Sequence, residues 1–358
     1  MAASKKVLII GMDGFTWDIG KNLMAKGVMP NLARLVEQGC HGILRSVIPS
    51  ETAPAWSSFQ TGCRPGKTGI FTFHRYDPAQ KRLRFNNYTD IAVPTLWELA
   101  SRAGKKVVAV NFPLTSPPPE IHGVMIPGLL CPGLSAQTVR PSGIYEKYIA
   151  CERDYKIVDT APYHSVPTFV DHQILTERTR LKVGLNLMKD FDWDIFGFEI
   201  QSSDRIQHYL WSALDSDMPG YNQEDQKEVF RFYRSCDEIM GELIKAAGSG
   251  VLTMLVSDHG FTSLKGVFNS NVWLKQNGYL NLLKKRQWIE TKNRLKQRIP
   301  LLRLLARWYG SIKQLGKARV EPEQETLTHL SNMIDVEKSS AFSIGVIVIF
   351  SLSLLMTS

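Results

Sequence analysis

Three apolar runs in this chain end on acids. "VLIIGMDG" closes at Asp13, "DIFGFEIQSSD" at Asp204, and "VLTMLVSDHG" at Asp258 with His259 beside it. A carboxylate at the edge of a core is costly unless something cationic pairs with it. Singly, each acid also reads as a helix cap or a turn residue. Together, two of them with a histidine close by, they point to a metal site. Asp204 and His208 lie four apart in "SSDRIQHYLW", so a helix beginning at Ser203-Asp204 turns both to one side, where they can bind one ion. Asp258 and His259 are adjacent and need a sharp turn at Gly260 to reach inward together. Oxygen and nitrogen donors of this kind suit zinc, with manganese or iron as the other options. Two clusters on neighbouring strand ends imply two ions, about 3.5–4 Å apart in sites of that kind.

A metal pair calls for a nucleophile. In "PSETAPAWSSFQTG" Thr52 stands just before Ala-Pro-Ala-Trp, an expected helix start with Pro54 in its first turn. A hydroxyl there meets the positive end of a helix dipole and free backbone N–H groups, which favour an alkoxide and an incoming phosphate. Coordination to a metal would lower its pKa further. The alternative is that Thr52 only caps the helix.

The scaffold for these residues reads as alternating strands and helices. Val7 to Ile10 opens a strand ending at Asp13, and "PNLARLVEQG" (30–39) has the proline, spacing and closing glycine of a helix. "TLWELASRAG" then "KKVVAVNF" repeats helix-then-strand, and "PLTSPPPEIHG" is a proline-rich loop. A long helix covers roughly 169–190, the strand "WDIFGFEI" follows at 193–200, and a helix at 230–248 precedes "GVLTMLVS", which reads as a buried strand. Such alternation predicts an α/β fold, a mostly parallel central sheet with helices on both faces. Ligands in these sheets bind beyond the carboxyl ends of the strands, where the acids lie.

Size and composition agree. The chain has 358 residues, 44% hydrophobic, enough for a full core. Its five cysteines are scattered, with no Cys-x-x-Cys pair, which fits a reducing compartment and argues against a cysteine zinc site. The short apolar run near the N-terminus, cut by Asp13, is a first strand and not a signal peptide. The formal net charge of +9 is concentrated between Lys284 and Arg319, which holds twelve Lys or Arg and a single acid, Glu290. That stretch reads as basic amphipathic helices broken at Pro300: a helical insertion with a solvated basic face, or a peripheral membrane contact through 282–316, and not a nucleic-acid surface.

The order Asp13, Thr52-x-Pro, Thr61-Gly62, Asp204-x-x-x-His208, Asp258-His259-Gly260 resembles the alkaline phosphatase superfamily, and within it the type I phosphodiesterase/nucleotide pyrophosphatase family. The segments 110–133, the region after "DHGF", and 334–345 further resemble a prokaryotic subgroup of predicted phosphohydrolases or phosphomutases. The resemblance implies that Asp13, Thr52, Asp258 and His259 hold one metal and Asp204 and His208 the other, with one more histidine. It implies two divalent ions, zinc first and manganese next, and attack by Thr52 on a small-molecule phosphate ester or diester through a phospho-threonine. The alternatives are phosphomutase chemistry and an inactive truncated domain at a membrane surface. The implied location is cytoplasmic, or membrane-associated if the apolar tail anchors the chain.

The expected organisation is a catalytic core over 1–275, the basic helical insertion over 276–335, and a final strand with an aberrant apolar terminus over 336–358. The family's last histidine falls beyond "AFSIG", where this chain continues "VIVIFSLSLLMTS", so the C-terminal part of the domain is expected to be missing. His329 stands in surroundings unlike the family's final motif. Two lookalikes fail on spacing. "GCRPGKTG" has three residues between Gly62 and Gly66 where a P-loop needs four. "CRPGK" resembles the sulfatase signature but follows Thr61-Gly62 instead of preceding it.

Overall fold

The computed structural model describes residues 6–77, 79–80, 82–160, 163–263, 268–282, 339, 341–344 and 347–350. The strands in chain order are β1 (Val7–Met12), β2 (His74–Asp77), β3 (Arg82–Phe85), β4 (Val107–Val110), β5 (Gly123–Ile126), β6 (Ile195–Ile200), β7 (Leu252–Val256), β8 (Ala341–Ile344) and β9 (Ile347–Phe350). The helices are α1 (Trp17–Ala25), α2 (Pro30–Gln38), α3 (Thr52–Thr61), α4 (Pro65–Thr68), α5 (Leu96–Arg102), α6 (Val166–Asp190), α7 (Ser202–Leu214), α8 (Gln223–Ala247) and α9 (Ser270–Gln276). The chain divides into two compact units, residues 1–73 with 86–264 and residues 74–85 with 265–358.

In the first unit the strands run β5-β4-β6-β1-β7, and every neighbouring pair is parallel. Alternation along β1 sorts its side chains onto two faces. Leu8, Ile10 and Met12 join one buried cluster with residues of α1, α6, α7 and α8, such as Leu23, Leu181, Ile206 and Phe232. Ile9 points the other way, into a cluster of Trp56, Trp97, Val107, Ala109, Phe112 and Met125. The sheet is therefore covered on both faces, as the alternating pattern predicts. Each buried large apolar side chain contributes roughly 1.5–3 kcal/mol.

Local signals set the helix starts. Thr95 and Glu98 form a reciprocal capping box at α5, Ser165 caps α6 through the Thr168 N–H, and Asn222 caps α8. The start of α2 has no side-chain cap of its own. Instead Asp237 of α8 accepts the N–H groups of Asn31 and Leu32 at 3.0 and 2.8 Å, a cap supplied across the helix interface.

One expectation is corrected, and one strand has no counterpart in the sequence reading. The "VLTMLV" run reads as a buried strand, yet among the described residues β7 is an edge of the sheet, with Leu252 61% and Met254 39% exposed. Apolar content marked the strand but could not tell a central position from an outer one. Strand β5 follows directly on the proline-rich loop and was not legible, because four residues are too short for a periodic signal.

In the second unit, β2 pairs with β3 and β8 with β9, both antiparallel. The expected strand at "AFSIG" is β8. Most of the basic insertion, including 284–319 and His329, and the last eight residues lie outside the described residues. Among the described residues no helix is long and apolar enough to cross a membrane.

Candidate metal centre

Strands β6, β1 and β7 are neighbours, so their carboxyl ends bring Asp13, the start of α7 and the Asp258-His259 pair side by side. The turn after β1 is tied to both sides. The Asp13 N–H donates to the Ile200 carbonyl at 3.1 Å, Ser203 Oγ donates to the Asp13 carbonyl at 2.6 Å, and the Gly14 N–H donates to Asp258 Oδ1 at 3.1 Å. Gly14 has φ +67°, a left-handed conformation that favours glycine. A Cβ there would also stand 3.2 Å from Asp204 Oδ1 and 3.4 Å from His259 Cε1. The Asp204 and Asp258-His259 clusters thus border one turn.

Three oxygens converge on one imidazole nitrogen. His259 Nε2 lies 3.1 Å from Thr52 Oγ1, 3.3 Å from Asp13 Oδ1 and 3.4 Å from Asp258 Oδ2. The other ring nitrogen, Nδ1, donates to the Gly260 carbonyl at 3.0 Å, which fixes the ring and turns Nε2 to the oxygens. Asp13 and Asp258 are buried, and apart from this imidazole Asp13 Oδ1 and Asp258 Oδ2 meet no hydrogen-bond donor among the described residues. Ligand atoms of Asp13, Asp258 and His259 all lie within 4.8 Å of one another.

The electrostatics show what the group lacks. Burial pushes the Asp258 carboxyl well above its usual range, and the charge of Asp13 pushes it the same way. For His259, burial works against the charged form. The hydrogen bond to Asp13 and the charges of Asp258 and Asp13 outweigh it and raise the pKa to about 10. In effect the imidazolium supplies the positive charge that the acids demand. Two buried carboxylates, a histidine with an oriented ring and a hydroxyl form a donor set that fits a divalent cation such as zinc.

Thr52 is the first residue of α3, with Glu51 at the cap position and no side-chain cap bond there. The capping alternative therefore does not describe it: its hydroxyl faces His259. Asp204 and His208 lie on one side of α7, with Oδ2 and Nε2 3.4 Å apart; the His208 ring stands edge-on to Phe261. Among the described residues no third histidine, cysteine or acid joins this pair. The structure brings Asp13, Thr52, Asp258 and His259 into one group and leaves Asp204 and His208 as a pair beside it.

Sequence reading missed the supports. Trp56 Nε1 donates to Asp13 Oδ2 at 3.2 Å, and Gln207 Nε2 donates to the Gly14 carbonyl at 2.9 Å. Trp56 lies four residues after Thr52 in the same helix, a spacing that places both on one face and was legible in principle. Glu199, fully buried on β6, accepts from Asn111 Nδ2 at 2.6 Å. Its carboxyl is held well above the usual range by burial and by the charge of Asp13.

The fold is that of the alkaline phosphatase-like α/β proteins. It is similar to phosphonoacetate hydrolase from Sinorhizobium meliloti 1021 in complex with phosphonoformate, with a TM-score of 0.54 at 18% identity over 78% of this chain and 64% of that one. The same hydrolase in complex with phosphonoacetate gives a TM-score of 0.51 at 18% identity and the same coverage. This chain thus spans less than two thirds of the length of those chains. The model of the type I phosphodiesterase / nucleotide pyrophosphatase family matches residues 7–340, and the chain belongs to that family. A comparison with curated proteins finds no match.

Proposed function

We propose that this chain is a divalent-metal-dependent phosphoric ester hydrolase with Thr52 as its nucleophile. The observation that carries the reading is the convergence of Thr52 Oγ1, Asp13 Oδ1 and Asp258 Oδ2 on His259 Nε2 at the first turn of a helix. Membership of a phosphodiesterase and nucleotide pyrophosphatase family supports it, and so does the fold likeness to a hydrolase crystallised with small phosphonates. Asp13, Thr52, Asp258 and His259 would hold one ion, zinc before manganese, and Asp204 and His208 a second. The substrate class is a small phosphate ester or diester.

Such cations would lower the pKa of the Thr52 hydroxyl and neutralise charge on the phosphoryl oxygens. The chain's own groups do the rest. The Thr52 and Ala53 N–H groups, in the first turn of α3, have no intrahelical acceptor, while Pro54 offers no donor. They face a phosphoryl group approaching the helix start. Thr52 Oγ1, its proton given up to solvent, attacks phosphorus; the ester oxygen leaves with its bonding pair and takes a proton from water, and a phospho-threonine forms. Water then hydrolyses it to phosphate; an acceptor alcohol in place of water gives the mutase variant.

The test uses protein purified with zinc and a panel of chromogenic phosphate mono- and diesters. Thr52→Ala is expected to lose turnover by at least about a thousandfold, as removal of a nucleophile does. Metal content by mass spectrometry is expected to persist, and Thr52→Ser should recover part of the rate. Turnover surviving in Thr52→Ala would remove Thr52 from the mechanism. An acceptor alcohol that captures phosphate would make the activity a transfer.

A further inference from the structure

Each of the two acids in the candidate metal centre has one oxygen pinned and one left open. Asp258 Oδ1 takes the Gly14 N–H, and its Oδ2 turns to His259. Asp13 Oδ2 takes the Trp56 indole N–H, and its Oδ1 turns to His259. The second arrangement differs in one respect: its donor comes from α3, the helix that also carries Thr52. Trp56 follows Thr52 by four residues, so the two side chains rise from one face of that helix. A single rigid element therefore holds the hydroxyl by its first residue and a carboxylate by its fifth.

The seat of the indole is built to fit. Trp56 is fully buried, and its ring lies over Gly11 of β1, two residues before Asp13. A Cβ on Gly11 would come within 2.7 Å of Trp56 Cη2 and 3.1 Å of Glu199 Cγ. The missing side chain at Gly11 is thus what lets the ring drop onto the strand and bring its N–H to the carboxylate. Phe59 and Phe112 stand edge-on to the ring at 5.5 and 5.4 Å between centroids and close it in.

Resting on the metal-site reading above, we infer that Trp56 is a positioning residue for the cation. Its N–H holds Asp13 so that Oδ1 stays open toward His259, and it locks the Thr52 helix to the metal-binding strand end. Groups that orient metal ligands in this way commonly affect affinity by about 10–100-fold. Trp97 provides an internal control. It is equally buried in the same apolar cluster, but its indole N–H donates to Gln60 Oε1 at 2.7 Å and to no acid of the site.

The experiment is titration of the metal-stripped protein with zinc and with cobalt(II), the latter followed by its visible absorption. Trp56→Phe keeps an aromatic ring, smaller than the indole, and deletes the donor; it is expected to weaken zinc binding by about 10–100-fold and to shift the cobalt spectrum. Trp97→Phe is expected to leave both unchanged. Equal affinity and spectrum in wild type and Trp56→Phe, or an equal loss in Trp97→Phe, would overturn the inference while leaving the metal site standing. A wild-type protein that binds neither ion would overturn the metal-site reading itself. Should Trp56→Phe fail to fold, the wild-type protein reads the same contact by NMR. Among the indole N–H signals of its eight tryptophans, that of Trp56 should shift on zinc addition while that of Trp97 holds; no shift at Trp56 would count against the role.

Discussion

Thr52 and His259 stand 207 residues apart in sequence, yet Oγ1 of one lies 3.1 Å from Nε2 of the other. The imidazole between two acids has its pKa raised to about 10. A cation taking its place must therefore displace a proton. At pH 8 zinc uptake is expected to release about one proton from His259, measured by calorimetry in buffers of different ionisation enthalpy. Apparent affinity should then rise by about tenfold per pH unit between 7 and 9. Uptake with no proton release would show that His259 is neutral before the metal arrives.

The same shift has a consequence for the metal-free fold. The raised pKa of His259 contributes stability that is fully present below its unfolded value near 6.5 and is lost as pH rises through about 10. Asp258, also raised, acts in the same direction, since ionising it in place costs energy that the unfolded chain does not bear. The melting temperature of the metal-free protein is expected to fall between pH 7 and 10 and to recover when zinc is added. A flat profile would contradict the charge balance described for the site.

Replacing Asp258 by Asn should separate stability from function. The change removes a buried carboxylate facing Asp13, so the metal-free protein is expected to melt a few degrees higher while losing metal from this group. Asp204→Asn should leave that ion in place. Scanning calorimetry and metal analysis of the two variants check this, and a destabilised Asp258→Asn would argue that the acid serves the fold.

Asp237 accepts two backbone N–H groups at the start of α2 and the Asn31 side-chain amide at 2.9 Å. Asp237→Ala leaves the buried Leu32 N–H and the part-buried Asn31 donors without this acceptor, and should cost about 1–3 kcal/mol of unfolding free energy in urea. Activity per folded molecule should hardly change. A loss under about 0.5 kcal/mol would mean that α2 starts without help.

Gly11→Ala probes the seat of Trp56 from the strand side. The added methyl meets Trp56 and Glu199, both fully buried, so the crowding cannot be relieved at the surface. A cost of about 1–3 kcal/mol is expected in chemical denaturation. A neutral substitution would show that the ring has room to move.

Much of the fold and the candidate site was legible because both rest on local signals. Apolar runs ending on Asp13, Asp204 and Asp258 marked strand ends, and the four-residue step from Asp204 to His208 marked a helix face. Thr52 stood out through the proline that follows it. Beyond the four-residue step from Thr52 to Trp56, the supports were not legible because they depend on which elements become neighbours. Nothing in "TAPAW" says that Trp56 will lie over Gly11, and nothing near Asp237 says that it will cap a helix 206 residues away. Strand order is likewise a property of the packed sheet, which is why β7 was read as buried although it lies at an edge.

That edge position bears on how the candidate site is kept whole. Strand β1 is laddered on both sides, by β6 and β7, whereas among the described residues β7 has β1 as its sole ladder partner. Asp258 and His259 therefore hang from a strand laddered on one side only, and such a strand opens locally more readily than a central one. With a cation bound, a ligand bond on each side would staple this edge strand to its central neighbour β1, and β7 amides should exchange with solvent far more slowly.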